Sequence, residues 1–306
     1  MKTHDLDFCS RPRLVATSKF SYNCLDISFS PYGEYWREMR KICILELFNA
    51  KRVRSFQFIR EEEISLMIDS ISHSSATPIN LSKLTTTLAN NIICRAAMGK
   101  KYPEGDYEKG IFHKLLLEAQ ALFGSFYIAD FFPSIGWMDR LTGLAGRLEK
   151  NSSMLDAFYE QVIREHLDLE RTRPEHEDIV DVLLRLQKDG SHLTKDHVKA
   201  VLMDIFMAET ETTSATLVWA MAELARHPRL MKKAQEEIRA ASLGTKGKVE
   251  EGDLHQLQYL KSVVKETLRL HSPIPLLLPR ESIRHSRIHG YDILPNTREC
   301  MSMLGG

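Results

Sequence analysis

Residues 194–226 carry an unbroken helical pattern of apolar side chains, and a helix of that length limits the folds open to the chain. Thr194 is the expected N-cap, and Pro228 stands just beyond the expected end at about Arg226. At 1.5 Å per residue, about 32 residues extend roughly 48 Å, which exceeds the width of a small domain. The sequence therefore predicts a large domain that this helix crosses from side to side.

Helical periodicity continues through most of the remaining sequence and changes to strand-like alternation only after residue 280. Further helices are expected within residues 32–48, 56–72, 79–99, 110–126, 139–172, 176–188, 229–241 and 258–270. Alternating residues around Gly290 predict a small β-hairpin. No internal repeat occurs, and only the loop at 242–253 is linker-like. The predicted fold class is mainly α, an array of helices with a small β-hairpin near the C-terminus.

Composition excludes several classes of function. Of the 306 residues 43% are apolar, which is enough for a sizeable core, and 41 basic residues balance 41 acidic ones. Nucleic acid is therefore not an expected partner. Five irregularly spaced cysteines indicate reduced thiols inside the cell. The sequence has no signal peptide and no run of about 18 apolar residues, so we expect a cytoplasmic chain without a membrane anchor.

The middle of the long helix contains hydroxyl groups and carboxylates where apolar residues would be more stable. Four hydroxyls, at Thr212, Thr213, Ser214 and Thr216, cost on the order of 2 kcal/mol relative to alanine. One interpretation is that they donate to carbonyls one turn earlier and bend the helix. The other is that the helix opens locally and presents them to a ligand.

Three other groups of residues are candidates for chemistry. Glu266 and Arg269 are i, i+3 neighbours on a helix, which is either an exposed pair of little consequence or a buried, structural one. Trp36 and Arg40 have i, i+4 spacing, which suits either an anion held by an indole and a guanidinium or a core tryptophan beside a solvated arginine. The two histidines His285 and His289 lie in a strand and turn, so no metal site is predicted there.

Four segments in this order resemble a cytochrome P-450 of the plant microsomal type, which has many members in specialised metabolism. They are PYGEYWREMRKICILELF, MAETETTSATLVWAMAELARHP, YLKSVVKETLRLHSPIPLLLPRES and YDILPNT. The resemblance spreads over residues 31 to 297. It implies an oxidoreductase that inserts one oxygen atom from O2 into an apolar small molecule, with haem as cofactor and electrons from an NADPH-dependent reductase.

The resemblance also implies roles for individual residues. Glu211 and Thr212 correspond to the acid and alcohol that deliver protons during catalysis, and Glu266 with Arg269 corresponds to a buried structural pair. Contacts to the haem propionates fall to Trp36, Arg40 and Arg280. The implied substrate pocket consists of Ile27, Phe29, Ala208, Ile274, Leu276 and Leu277.

Three departures from the family pattern qualify these expectations. The family's N-terminal anchor, which holds its members on the endoplasmic reticulum facing the cytosol, has no counterpart here, and neither has its cysteine-containing haem loop near the C-terminus. We therefore predict a fold incomplete at both ends, with a partial domain at 1–298 and a divergent tail at 299–306. Cys300 lacks the surrounding loop and is not assigned as the iron ligand. Glu209 stands where the family usually has glycine, on nearly the same helix face as Thr212.

Two hypotheses about function follow. The favoured one is a truncated haem-dependent mono-oxygenase that is inactive as this chain. The alternative is a helical binding or regulatory fragment without catalysis.

Overall fold

The computed structural model describes residues 4–74, 77–100, 107–171, 176–190, 192–242 and 249–299, and helices dominate it. The α-helices are α1 (Val15–Phe20), α2 (Glu34–Ile42), α3 (Ala50–Ser55), α4 (Gln57–His73), α5 (Leu81–Met98), α6 (Tyr107–Phe123), α7 (Ile128–Phe131), α8 (Met138–Leu141), α9 (Leu144–Leu167), α10 (Ile179–Lys188), α11 (Lys195–Arg226), α12 (Pro228–Ser242) and α13 (Gln258–Leu270). Short 3₁₀ helices cover Asp5–Phe8, Pro133–Ile135 and Glu251–His255, and a π-helix covers Cys43–Leu47. The strands are β1 (Arg280–Glu281), β2 (Ser286–Ile288), β3 (Tyr291–Ile293) and β4 (Arg298–Glu299).

The predicted fold class, mainly α with a small hairpin, is confirmed. Strands β2 and β3 pair antiparallel, with Ser286 opposite Ile293. The turn between them has positive φ at His289 (50°) and Gly290 (89°), as a tight hairpin turn requires. β1 and β4 form a second antiparallel pair.

Helix α11 begins and ends where the sequence predicts. It contains 32 residues and starts directly after Thr194. The backbone N–H of Thr194 donates to Nδ1 of His197 at 3.1 Å, which satisfies a donor at the helix entrance. At the other end Pro228 opens α12, because proline suits the first turn of a helix but cannot continue the preceding one.

The chain divides into two compact units. The first contains residues 1–52, 94–207 and 276–301, and an aromatic cluster forms part of its core. The ring of Phe112 stacks on that of Phe158, with centroids 4.1 Å apart, and meets the edge of Phe206 at 4.9 Å. Tyr159, only 1% exposed, closes the cluster. Since these rings come from α6, α9 and α11, burial of aromatic area packs the three helices together.

The N-terminal segment of the first unit pairs with its C-terminal strands. Ser10 forms a β-bridge with Glu281, and the N–H of Ile283 donates to the carbonyl of Asp7 at 2.8 Å. The Arg284 guanidinium also binds the Asp7 carboxylate. Residues at opposite ends of the sequence therefore share one small sheet region.

The second unit contains residues 53–93 and 208–275. Glu237 on α12 accepts the N–H groups of Tyr259 and Leu260 at 2.8 and 2.9 Å, so its carboxylate caps the start of α13. Arg60 on α4 forms two hydrogen bonds, of 2.8 and 2.6 Å, with Glu251. These charged contacts connect α12 to the start of α13 and α4 to the 3₁₀ helix that precedes α13.

Candidate functional site

Two of the four hydroxyls in the polar stretch of α11, at Thr212 and Thr216, bind the backbone of their own helix. Thr212 donates to the carbonyl of Ala208, and Thr216 donates to the carbonyl of Thr212 at 2.8 Å. The helix is continuous through this region. The structure therefore agrees with the first interpretation of the polar stretch, back-bonding within an intact helix, and shows no local opening of α11.

Neighbouring hydroxyls belong to a contact with α5 inside the second unit. Ser214, 4% exposed, lies 2.8 Å from the hydroxyl of Thr85 and 2.9 Å from that of Thr86. Thr210 is 2% exposed, and its hydroxyl has no partner among the described residues. Ser214 thus contributes to the packing of α11 on α5, whereas the hydroxyl of Thr210 is a buried polar group without a hydrogen-bond partner among the described residues.

The acids of this stretch differ in their surroundings. Glu211 is half-buried, next to Thr212. Glu209 and Ala208 are exposed, yet desolvation by nearby protein raises the pKa of Glu209. Since the Glu209 side chain still reaches solvent, water can solvate the carboxylate, which limits the effect of desolvation.

Glu266 and Arg269 form the predicted pair, but the pair is not buried. Two hydrogen bonds of 2.8 and 2.6 Å join the guanidinium to the carboxylate, and the side chains are 55% and 66% exposed. The bidentate bond lowers the pKa of Glu266. The expectation of a buried pair is corrected here, because the described part of the second unit leaves this face of α13 in contact with solvent.

The predicted haem-propionate residues Trp36 and Arg40 lie together on α2 in the first unit. The indole N–H of Trp36 donates to the carbonyl of Ile27 at 3.0 Å. The Arg40 guanidinium lies over the Trp36 ring, 5.3 Å from its centroid. Arg40 is exposed, so it can contact an anion, but the Trp36 donor is already used to hold a loop.

Arg280, the third of these residues, is also committed to partners within the first unit. Its guanidinium donates to the carboxylate of Asp5 at 2.7 Å and to the carbonyl of Phe8 at 3.3 Å. Its side chain is 19% exposed. Arg280 therefore fixes the N-terminal segment against β1.

The predicted substrate residues fall in both units. Ile27 and Phe29 lie in one loop of the first unit, where the Phe29 ring stacks on Phe123 with centroids 5.4 Å apart. Leu276, 55% exposed, and Leu277, with φ of 55°, belong to the same unit. Ala208 and Ile274 belong to the second unit, and both are exposed.

The buried acid Asp26, the half-buried acid Asp204 and an arginine were not anticipated from the sequence. Asp26 and Asp204 bind the loop that carries Ile27, and Arg11 donates from Nε to the carbonyl of Ser28 at 3.0 Å. The one available signal was a carboxylate at position 204 in the apolar run VLMDIFMA.

A group of metal-ligand type occurs elsewhere in the first unit. Oxygen and nitrogen atoms of His166, Asp178 and Asp181 lie within 4.8 Å of one another. Arg171 donates to Asp178 at 2.9 Å and to Asp181 at 2.7 Å. A guanidinium thus supplies the positive charge that a metal would bring, and the group is a structural ion-pair network.

His285, one of the two histidines near the hairpin, lies with its Nε2 atom 3.4 Å from the carboxylate of Asp292 on β3.

Among the helices that the structure describes, none combines the length and the apolar character needed to span a bilayer.

Comparison with known proteins identifies the family. The sequence model of cytochrome P450 matches residues 1–305. Cytochrome P450 71A1 of Persea americana is 51% identical over 97% of this chain, and strychnine-11-hydroxylase of Strychnos nux-vomica is 46% identical over 97%. A solved zebra fish cytochrome P450 with abiraterone superposes with a TM-score of 0.79 and 25% identity, covering 97% of this chain and 67% of that one. The chain belongs to the cytochrome P450 family, a family of haem-dependent mono-oxygenases.

The match covers only part of these relatives. The chain spans 61% of the length of the Persea protein and 59% of that of the Strychnos protein. Their plant origin agrees with the plant type that the sequence motifs indicate.

The described residues do not fit a complete haem site. A cysteine that ligates haem iron binds as a thiolate, and its sulfur must be accessible to the iron. Cys43 is fully buried, and the half-buried Cys9 donates its thiol to the carbonyl of Leu6 at 3.2 Å. Cys24 and Cys94 are 3% and 1% exposed. Cys300 lies outside the described residues. No cysteine in the described ranges is therefore suited to bind the iron.

Proposed function

We propose that this chain is part of a haem-dependent mono-oxygenase acting on an apolar small molecule, and that its 306 residues alone do not catalyse the reaction. Family membership over residues 1–305 supports the reaction class. The burial of Cys24, Cys43 and Cys94, which are at most 3% exposed, supports the absence of turnover, because haem iron needs access to the sulfur that ligates it.

Within that activity we propose roles for the residues of α11. Glu211 and Thr212 would pass protons toward the reacting oxygen, with the Thr212 hydroxyl turning away from the Ala208 carbonyl to do so. Trp36, Arg40 and Arg280 would lie near the haem propionates. Because Trp36 and Arg280 already donate to groups of this chain, their contribution would be to shape the propionate site, and Arg40 would supply the free charge.

The pocket and the partners are proposed on the same basis. Ile27, Phe29, Ala208, Ile274, Leu276 and Leu277 would form the apolar wall against the substrate. A reductase that uses NADPH would supply electrons, and the endoplasmic reticulum, on its cytosolic face, would be the site of the full activity. The division into a partial domain at 1–298 and a divergent tail at 299–306 also remains a prediction.

A chimera tests the proposal. Residues 1–298 would be flanked by the portions of the Persea protein that lie outside the matched region, and product formation with NADPH and a reductase would be measured on a panel of apolar compounds. We expect turnover by the chimera, none by the 306-residue chain, and a large loss in Thr212→Ala compared with the matched control Thr213→Ala. Turnover by the chain alone, or equal activity in the two threonine variants, would contradict the proposal.

One observation favours the alternative, a binding or regulatory fragment without catalysis. The donors of Trp36 and Arg280 are satisfied within the chain, so the first unit needs no cofactor to pair them. On this alternative the chimera would bind haem no better than the chain does.

A further inference from the structure

The loop at residues 25–30, which contains two of the proposed substrate contacts, is held by donors from α2. The Trp36 indole donates to the carbonyl of Ile27 at 3.0 Å. The Tyr35 hydroxyl donates to the carbonyl of Leu25 at 2.8 Å. Two carbonyls of the loop are thereby fixed to one helix.

The N–H groups of the same loop bind two acids. Asp204 on α11 accepts the N–H of Ile27 through Oδ2 at 2.8 Å. Asp26, within the loop, accepts the N–H of Phe29 through Oδ2 at 3.1 Å. The loop conformation therefore depends on two carboxyl groups, which accept N–H groups two residues apart in the same loop.

These carboxyl groups, which we call the acid pair, cannot both be ionised at low cost. Asp26 is 1% exposed, and no donor among the described residues reaches its Oδ1. Burial, together with the charge and hydrogen bond of Asp204, raises the pKa of Asp26 to about 9. Burial also raises the pKa of Asp204, although Asp204 accepts the N–H of Ile27. A proton on Oδ1 of Asp26, donated to Asp204, would give that buried oxygen the partner it lacks.

The groups around the acid pair do not replace that proton. Arg11 donates to the loop carbonyl of Ser28, and its positive charge acts on Asp26 only as a minor influence. Tyr35 and Cys43, on the other side, are neutral, because burial and the nearby acids raise the pKa of both. His197 packs against the Tyr35 ring with centroids 5.8 Å apart.

We propose that Asp26 and Asp204 share one proton and are positioning residues that hold the loop at 25–30, and with it Ile27 and Phe29, in the conformation described. Loss of the proton places two negative charges next to each other in the core and releases the loop. The effect on substrate rests on the proposed function, whereas the shared proton and the loop restraint do not.

Infrared difference spectroscopy of the 306-residue chain, without haem, tests for the proton directly. We expect a protonated-carboxyl band at neutral pH that is absent from Asp26→Asn and shifted in frequency in Asp204→Asn, because that variant replaces the carboxylate to which Asp26 donates. Asp139→Asn is the matched control, because Asp139 is also buried but accepts the N–H groups of Ile128 and Ala129, at 2.8 and 3.0 Å. That variant should keep the band. A wild-type chain without the band would overturn the proposal.

Amide hydrogen exchange tests the restraint on the loop. At pH 10, about one unit above the pKa of Asp26, the protection factors of the Ile27 and Phe29 amides should fall about tenfold relative to pH 7. In Asp26→Asn the amide side chain supplies the donor toward Asp204 at any pH, so protection should stay level. Equal pH dependence in wild type and Asp26→Asn would overturn the proposal. Haem plays no part in either measurement, so failure of the mono-oxygenase proposal would leave both results interpretable.

Discussion

Lys199 offers a sharp test of how the first unit is held together. Its side chain is 7% exposed, and its ammonium group lies 2.7 Å from Asp156 and 3.0 Å from Glu160. Burial alone would lower the pKa of Lys199, but hydrogen bonds to the two acids outweigh it and the net pKa is raised. Tyr22 donates to the same oxygen of Asp156 at 2.8 Å. Lys199 is therefore a charged group at the centre of a network.

The structure sets the size of the effect of Lys199→Met. Each charge-assisted hydrogen bond contributes about 1.5–3 kcal/mol when enclosed. The acids are 45% and 31% exposed, so solvent screens them after the lysine is removed, and burying the ammonium has its own cost. We expect a loss of about 2 kcal/mol in the free energy of unfolding, because methionine retains the packing of the stem but neither bond.

Lys195→Met is the matched control. Lys195 contacts the same Glu160 at 3.0 Å, but its side chain is 47% exposed, so the expected loss is below about 0.5 kcal/mol. The assay is urea unfolding followed by circular dichroism at neutral pH. Equal losses for the two variants, or no loss for Lys199→Met, would refute the reasoning that burial decides the strength of these pairs.

Three further predictions concern other sites. Because the folded protein raises the pKa of Asp26, the stabilisation from its proton is complete below the pKa of an unfolded aspartate and is lost as pH rises toward the pKa in the folded protein. Between about pH 4 and 9 the free energy of unfolding should therefore fall by about 1.4 kcal/mol per pH unit. Asp26→Asn should remove this slope when urea unfolding is compared at pH 6 and pH 8. Asp139→Ala leaves the N–H groups of Ile128 and Ala129, at the start of α7, without their acceptor. It should lower the free energy of unfolding by about 1–3 kcal/mol at pH 6 and at pH 8 alike, and an unchanged stability would show that these two bonds do not stabilise the fold. In the chimera, Glu209→Gly should raise the amount of product formed per NADPH consumed, although glycine destabilises the helix by about 1 kcal/mol. An unchanged ratio of product to NADPH would mean that Glu209 points away from the reacting oxygen.

Local patterns predicted the elements of the fold. The bounds of α11 follow from Thr194 and Pro228, and the hairpin follows from alternation around Gly290, because both depend on residues near one another in sequence. The π-helix at Cys43–Leu47 was missed, because periodicity does not distinguish it from the end of an α-helix.

Long-range contacts explain what sequence patterns did not predict. The N–H of Ile27 and the carboxylate of Asp204 are 177 positions apart, and Arg280 is 275 positions from Asp5. No spacing rule connects residues at such distances. The exposure of Glu266 and Arg269 could not be predicted either, since i, i+3 spacing defines the pair but not whether other residues cover it.

The spectrum of the ferrous carbonyl complex tests the central claim most directly. The purified 306-residue chain would be titrated with haem, reduced and exposed to carbon monoxide, alongside Cys300→Ser. Because Cys24, Cys43 and Cys94 are buried and the Cys9 thiol donates to the carbonyl of Leu6, we predict that neither protein shows the Soret band of a thiolate-ligated haem. A clear thiolate-type band in the chain would contradict the account, and its loss in Cys300→Ser would identify Cys300 as the ligand.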